Sequence, residues 1–147
     1  QIHSLILKNI DADNAGSYRK SNVIISGATH RPPPFLDLPY EMERFVSWYQ
    51  QNYQNMHPVE LASRVHIDFV GIHPFIDGNG RTSRLLMNLE LLKVGYPPAV
   101  ITLADRLEYY NALDTAHTTH NYEPFLELME RVVVKSFEPY FYVLGIE

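Results

Sequence analysis

Cysteine is absent from the 147-residue chain, which excludes disulfides and thiolate metal sites within it and fits a reducing, cytoplasmic setting. No apolar run comes near the roughly 18 residues that a membrane-crossing helix needs. Basic residues are outnumbered, 12 Lys and Arg against 17 Asp and Glu, for a net charge of −5. That balance disfavours a broad nucleic-acid surface but leaves room for a small positive pocket. No internal repeat or low-complexity tract is visible. The chain opens at Gln1 rather than Met, with no charged-then-apolar leader, so a piece of a longer protein is expected. What is there is an ordinary globular mixture, 46% apolar and 20% charged, in a length that suits one domain with a sizeable core.

The placing of prolines and glycines predicts a mainly α chain with five or six helices and one hairpin. Residues 2–8 suit one or two helical turns, and residues 9–20 are rich in turn formers. SNVIISGATHRPPP, residues 21–34, suits a short β-hairpin that Pro32 to Pro34 bring to an end. From Pro39, the residues Met42, Phe45, Val46 and Tyr49 mark one face of a helix ending near Asn55. Pro58 opens the next helix, Leu61, Val65, Phe69 and Ile72 form its stripe, and Pro74 stops it. Leu85, Leu86, Met87, Leu89, Leu91, Leu92 and Val94 surround the following helix on nearly every side, which predicts burial at the centre of the domain. Gly95 and Pro97-Pro98 end that helix. Two more helices are expected, over roughly 104–117 and 122–142.

The chemistry gathers in residues 73–84, HPFIDGNGRTSR. This segment links the end of one helix to the start of another, so its backbone N–H groups meet at a helix N-terminus. Such a terminus carries about half a positive charge and has unpartnered amides. Gly78 and Gly80 permit close approach, and phosphate is the natural guest. Arg81 and Arg84 share a helix face at i and i+3. Cations are unfavourable at a helix N-terminus, so two arginines there make sense if an anion arrives; two guanidinium groups suit a di- or triphosphate. Asp77 beside them is the single carboxylate with which proteins commonly hold Mg²⁺ on phosphates. His73, four residues earlier, is placed to take a proton from a hydroxyl. The loop is not a Walker A motif, because no Lys-Ser or Lys-Thr follows.

These residues match the Fic-family signature H-P-F-x-[DE]-G-N-G-R-x-x-R at every defined position. Residues 17–34 resemble the flap hairpin of that family, and residues 81–98 resemble its central helix and exit. The resemblance implies a Fic-type helical bundle over 1–147 with a short β-hairpin flap above the active loop. It implies a protein adenylyltransferase, a nucleotidyltransferase that moves AMP from ATP to a Ser, Thr or Tyr hydroxyl of a target protein and releases pyrophosphate. In that scheme His73 is the general base and Asp77 holds Mg²⁺. Gly78, Asn79 and Gly80 form the anion hole, with the Asn79 amide also on a phosphate. Arg81 contacts the β-phosphate and Arg84 the γ-phosphate. Tyr109, Tyr110 and His117 are the adenine-site candidates. Ile24, Ile25, Ser26, Gly27 and Ala28 form the flap that pairs edge-on with the target.

Many members carry an inhibitory helix with the pattern [ST]-x-x-x-E-[GN], whose glutamate pairs with the second signature arginine. No such pattern occurs in residues 1–147. The resemblance therefore implies an inhibitory helix on a removed segment, or an antitoxin-like partner in trans; a homodimer is also compatible with it. Three other functions remain compatible with these residues: de-AMPylation, another phosphate-linked transfer, and ATP sensing without turnover.

Overall fold

The computed structural model describes residues 1–146, which form seven α-helices and no β-strand. They are α1 (Ile2–Leu7), α2 (Leu38–Asn52), α3 (Pro58–Ile72), α4 (Asn79–Lys93), α5 (Arg106–Thr119), α6 (Glu123–Ser136) and α7 (Glu138–Leu144). A 3₁₀ turn, Phe35–Asp37, leads into α2. Proline occupies the first turn of α2, α3, α6 and α7, where its missing N–H leaves no helical bond unmade.

Helix α3 is the hub and packs against α2, α4, α5 and α6. Val59, Ala62, Ile67 and Val70 of α3 meet Met87 and Leu91 of α4, Ala112, Leu113 and Ala116 of α5, and Phe125, Leu128 and Met129 of α6. Phe125 is fully buried, and removing such a ring from water stabilises by about 1.5–3 kcal/mol. The core therefore lies on the side of α3 and α4 facing α5 and α6, which leaves the α3–α4 junction at one end of the bundle.

Two expectations about helices are corrected. The leucine-rich α4 is not buried all round: Leu85, Leu89 and Leu92 are 50%, 42% and 52% exposed. Its inward residues are Asn79, Thr82, Ser83, Met87, Glu90 and Leu91. Leucine count alone could not reveal this face, because the short polar residues of the first turns lie inside. The predicted helix over 122–142 is two helices, α6 and α7, meeting at Phe137. Pro139 lacks the N–H that a continuous helix would need there.

A third correction concerns the flap. Residues 22–28 make a turn, closed by the Ala28 N–H to the Ile25 C=O at 3.2 Å, but no β-ladder forms. Side chains take the backbone groups that flank the turn. Asp114 of α5 accepts from the amides of Thr29 and His30 at 2.8 and 2.9 Å, and Asn22 accepts from the Phe35 amide at 2.9 Å. The arms are thus tied to the body of the protein rather than to each other.

Helix α3 also carries a fully buried histidine, His66, stacked near Phe125 with ring centroids 5.3 Å apart. Its Nδ1 has no partner among the described residues. Burial pushes its pKa down to about 3. Because the unfolded chain would protonate it near the ordinary histidine value, its contribution is fully present above about pH 6.5 and is lost as pH falls towards 3. Acid unfolding monitored by circular dichroism should show stability dropping by up to about 1.4 kcal/mol per pH unit from this group. A His66→Phe variant that stays folded should have a flatter profile; an unchanged acid slope would remove His66 from the account.

Candidate active site

The α3–α4 junction places His73 at the end of α3 in a left-handed conformation, φ 52° and ψ 56°. That backbone is strained for a histidine, by about 1–3 kcal/mol, and persists only where neighbours hold it. Three bonds do so. The His73 N–H donates to the Phe69 C=O at 3.2 Å, and its C=O accepts from the Arg19 Nε–H at 2.8 Å. Its Nδ1–H donates to the Val70 C=O at 3.1 Å. This last bond sets the tautomer and leaves the Nε2 lone pair available. Burial lowers the His73 pKa; Arg19 and His30 lower it further, against the raising effect of the Val70 carbonyl. The ring is therefore neutral at physiological pH, as a general base must be.

After Pro74 the chain crosses to α4 through a tightly braced loop. Asn79, 2% exposed, accepts from the Phe75 N–H at 2.9 Å and donates from Nδ2 to the Phe75 C=O at 2.8 Å. Both ends of its amide are thus occupied within the loop. The side chain thus braces the loop, and one Nδ2 hydrogen is left over for another acceptor. Beneath the loop, His3 of α1 stacks on Phe75 with centroids 3.4 Å apart and planes within 4°. Its Nε2–H donates to the Asp77 C=O at 2.8 Å, and its Nδ1 accepts from the Gly16 N–H at 2.9 Å. Gly78 has φ 81°, and a Cβ there would come within 3.3 Å of the His3 ring. Glycine is required at 78 for both reasons.

The first α4 bond runs from the Thr82 N–H to the Gly78 C=O at 2.9 Å. The amides of Asn79, Gly80 and Arg81 therefore precede any helical acceptor, and no side chain caps them. Arg84 folds back over this end; its Nη1 lies 3.4 Å from where a Gly80 Cβ would sit. Gly80 itself is helical, so its importance is the room it leaves rather than an unusual backbone. Arg81 Nη2 pairs with Asp77 Oδ2 at 2.8 Å. Both partners are largely exposed, so the pair is worth at most about 1 kcal/mol and can open for an incoming anion. Arg84 has no carboxylate partner among the described residues. Two guanidinium groups and three open amides thus belong to the positive end of α4, an arrangement chemically able to hold a polyphosphate.

No cluster of three or more His, Asp or Glu able to hold a metal occurs among the described residues. Asp77 alone has the right chemistry for Mg²⁺. Its Oδ1 accepts from the Gly78 N–H at 2.6 Å and its Oδ2 bears only the exposed arginine pair. A single exposed carboxylate fits a Mg²⁺ that draws its other ligands from phosphate oxygens and water.

The three adenine-site candidates are not brought together as a stacking platform. Tyr109 is 5% exposed, and its hydroxyl is joined to His66 Nε2 by a 2.9 Å hydrogen bond. Its face is spent on the core, and its hydroxyl looks towards Arg84, whose charge opposes the upward pull of burial on its pKa. Tyr110 is half exposed, with Arg106 5.6 Å above its ring. His117 is turned to α3: its Nε2–H donates to the Ile67 C=O at 2.8 Å. A Cβ on Gly71 would lie 2.7 Å from that nitrogen, so Gly71 is what lets His117 approach. His30, at the foot of the flap, packs on His117 at 4.4 Å and donates to the Gly71 C=O at 2.9 Å.

Sequence reasoning passed over His3, Arg19, His66 and Asp114. Each makes a contact with a partner tens of residues away, and none falls in a spaced motif. The one available signal was that His3 precedes and Arg19 closes a turn-rich segment, which is too common to single them out.

A family model described as Fic/DOC family matches residues 1–91. The protein adenylyltransferase Fic of Drosophila willistoni is 39% identical over 141 residues, covering 95% of this chain and 28% of that protein. The Drosophila grimshawi protein of the same name is also 39% identical, over 95% of this chain and 29% of its own length. Among solved structures, Fic-1 from C. elegans superposes with a TM-score of 0.87 at 30% identity, over 98% of this chain and 42% of that one. A Fic family protein from Desulfovibrio desulfuricans gives 0.82 at 27% identity, over 96% and 45%. The chain thus spans under a third of the length of these curated relatives. The matched family model runs from α1 into α4, the elements that hold the junction loop, and this chain belongs to the Fic/DOC family.

Proposed function

We propose that this chain is the catalytic core of a protein adenylyltransferase, moving AMP from ATP to a Ser, Thr or Tyr hydroxyl of a target protein. The observation that carries this reading is the pairing of a neutral His73, its Nε2 free, with a helix start holding three open amides and Arg84. His73 Nε2 takes the proton of the target hydroxyl as its oxygen attacks the α-phosphorus. The bond from that phosphorus to the bridging oxygen breaks in line, and pyrophosphate leaves. The amides of residues 79–81, with Arg81 and Arg84, hold the β- and γ-phosphates and stabilise the growing charge. Asp77 would hold Mg²⁺, which supplies charge neutralisation between the phosphates when bound. The names of the Drosophila relatives support the same activity.

The turn at Ile24–Ala28 stands out from the body, Ile24 being 74% exposed. A target segment would pair with it edge-on, supplying the ladder that the arms do not make for themselves. Arg84 is the group on which an inhibitory glutamate would act, from a helix in cis or an antitoxin-like chain in trans. Tyr110 is the adenine contact best placed for access.

Incubation with α-labelled and γ-labelled ATP and a cell lysate tests the reading. Label on protein from the α position alone is expected. Label from the γ position alone would establish phosphotransfer instead, and ATP binding without label would leave a sensor. Activity should also have an acid limb centred below the ordinary histidine range, because burial lowers the His73 pKa. A limb centred above that range would assign the proton to another group.

A further inference from the structure

Arg19 belongs to no motif, yet it is 3% exposed. Its Nε–H donates to the His73 C=O at 2.8 Å, its Nη1 to the Ser21 C=O at 2.9 Å, and its Nη2 to the Pro33 C=O. Its own amide donates to the Pro74 C=O at 2.9 Å. All four acceptors are backbone carbonyls. They come from the two feet of the flap and from the corner that bears the base. No carboxylate pairs with this buried cation among the described residues. A cation that merely needed neutralising would have one. The planar fork instead holds three separate carbonyls in a fixed arrangement, which a lysine could not do.

The arrangement also bears on strain. His73 occupies a left-handed backbone immediately before a proline, a geometry that must be held from outside. Arg19 holds its carbonyl while the Val70 and Phe69 carbonyls hold its ring and amide. The same guanidinium grips the flap where it leaves and where it returns.

We propose that Arg19 is a positioning residue that locks the flap to the His73 corner, so that a target segment docked on the flap presents its hydroxyl to the base in one fixed register. This rests on the adenylyltransferase reading above for its catalytic consequence, though not for its structural one. Arg19 touches no reacting atom; it acts through His73 and the flap. The groups that bear electrostatically on His73 are Arg19 itself and His30 at the foot of the flap, and His117 of α5 in turn feels the His73 ring. No carboxylate is among the causes that shift His73.

The test compares Arg19→Met, which keeps the apolar stem, and Arg19→Lys, which keeps the charge but not the fork. Hydrogen exchange read by mass spectrometry should show faster exchange across residues 21–34 in Arg19→Met, by about tenfold or more, with α3, α5 and α6 unchanged. The His73 ring, followed by NMR, should titrate at higher pH once the cation is gone. In transfer assays kcat/KM for the protein target should fall by about 100-fold, as expected for a misplaced reacting group. The KM for ATP should stay within about twofold, since the phosphate site lies on α4. Arg19→Lys should recover the titration but not the flap protection. Unchanged flap exchange in a folded Arg19→Met, or equal rises in KM for ATP and target, would overturn the proposal. Should Arg19→Met not fold, Arg19→Lys carries the same exchange test. Should the wild-type chain transfer no AMP, the activity reading fails, while exchange and titration still judge Arg19.

Discussion

His73→Ala is expected to lower AMP transfer by about 10²–10⁴-fold, with ATP binding and folding retained. The ring makes one hydrogen bond to the rest of the protein, from Nδ1 to the Val70 carbonyl, and the bond's visible purpose is to present Nε2. Truncation removes that bond and leaves the phosphate site intact, because Asn79 braces the loop and the α4 amides do not touch His73. Calorimetric titration with Mg-ATP should therefore give a dissociation constant close to the wild-type value. The melting temperature should move by a few degrees at most, the equivalent of about 1 kcal/mol. A variant that kept full transfer would assign the base elsewhere. One that lost ATP affinity in parallel would mean that the ring holds the loop rather than the proton.

The second large effect concerns stability. Asn79→Ala should destabilise the fold by about 2–4 kcal/mol, because it strips the Phe75 N–H and C=O of their partners where water cannot replace them. Each such buried group costs about 1–3 kcal/mol when left unpaired. Urea unfolding should show a lower midpoint with an unchanged slope, the sign of a stability change without a change in the surface exposed. ATP affinity should fall as well, since the loop and the α4 amides are one structure. Arg81→Ala offers the contrast: its exposed pair with Asp77 contributes little to folding, so affinity should fall while the midpoint stays in place. An Asn79→Ala midpoint equal to that of the wild type would mean that the loop finds other partners and that the brace is not structural.

The motif 73–84 was legible because its chemistry is local. Pro74 ends α3, the glycine pair opens α4, and the distance between the proposed base and the proposed phosphate site follows from how few residues separate them. Arg84 could be read in the same way, since i and i+3 on one helix share a face whatever the rest of the fold does. Helix boundaries followed from prolines and glycines to within a few residues, except where Pro139 divides α6 from α7. Burial was less legible. Seven apolar residues suggested that α4 was enclosed, but its inward face carries Thr82, Ser83 and Glu90, while Leu85 and Leu92 lie half exposed. A helix's inner face is chosen by what packs against it, and composition does not name that partner.

The residues at the site fall into two classes. His73, Asp77, Arg81, Arg84 and the glycine turn lie within twelve consecutive positions, so their neighbourhood is set by backbone geometry that sequence alone encodes. His3, Arg19, Tyr109, Asp114 and His117 act across gaps of tens of residues: His3 reaches Asp77, Arg19 reaches His73, and Asp114 reaches Thr29. Those meetings depend on how α1, α3, α4 and α5 come together, and no spacing in the chain announces them. The flap shows the division most plainly. Its residues have the β-branching of a hairpin, yet Asp114, Asn22 and Arg19 claim the backbone groups around it. Local preference supplied the turn, and long-range hydrogen bonding, which satisfies those groups first, left it without a ladder.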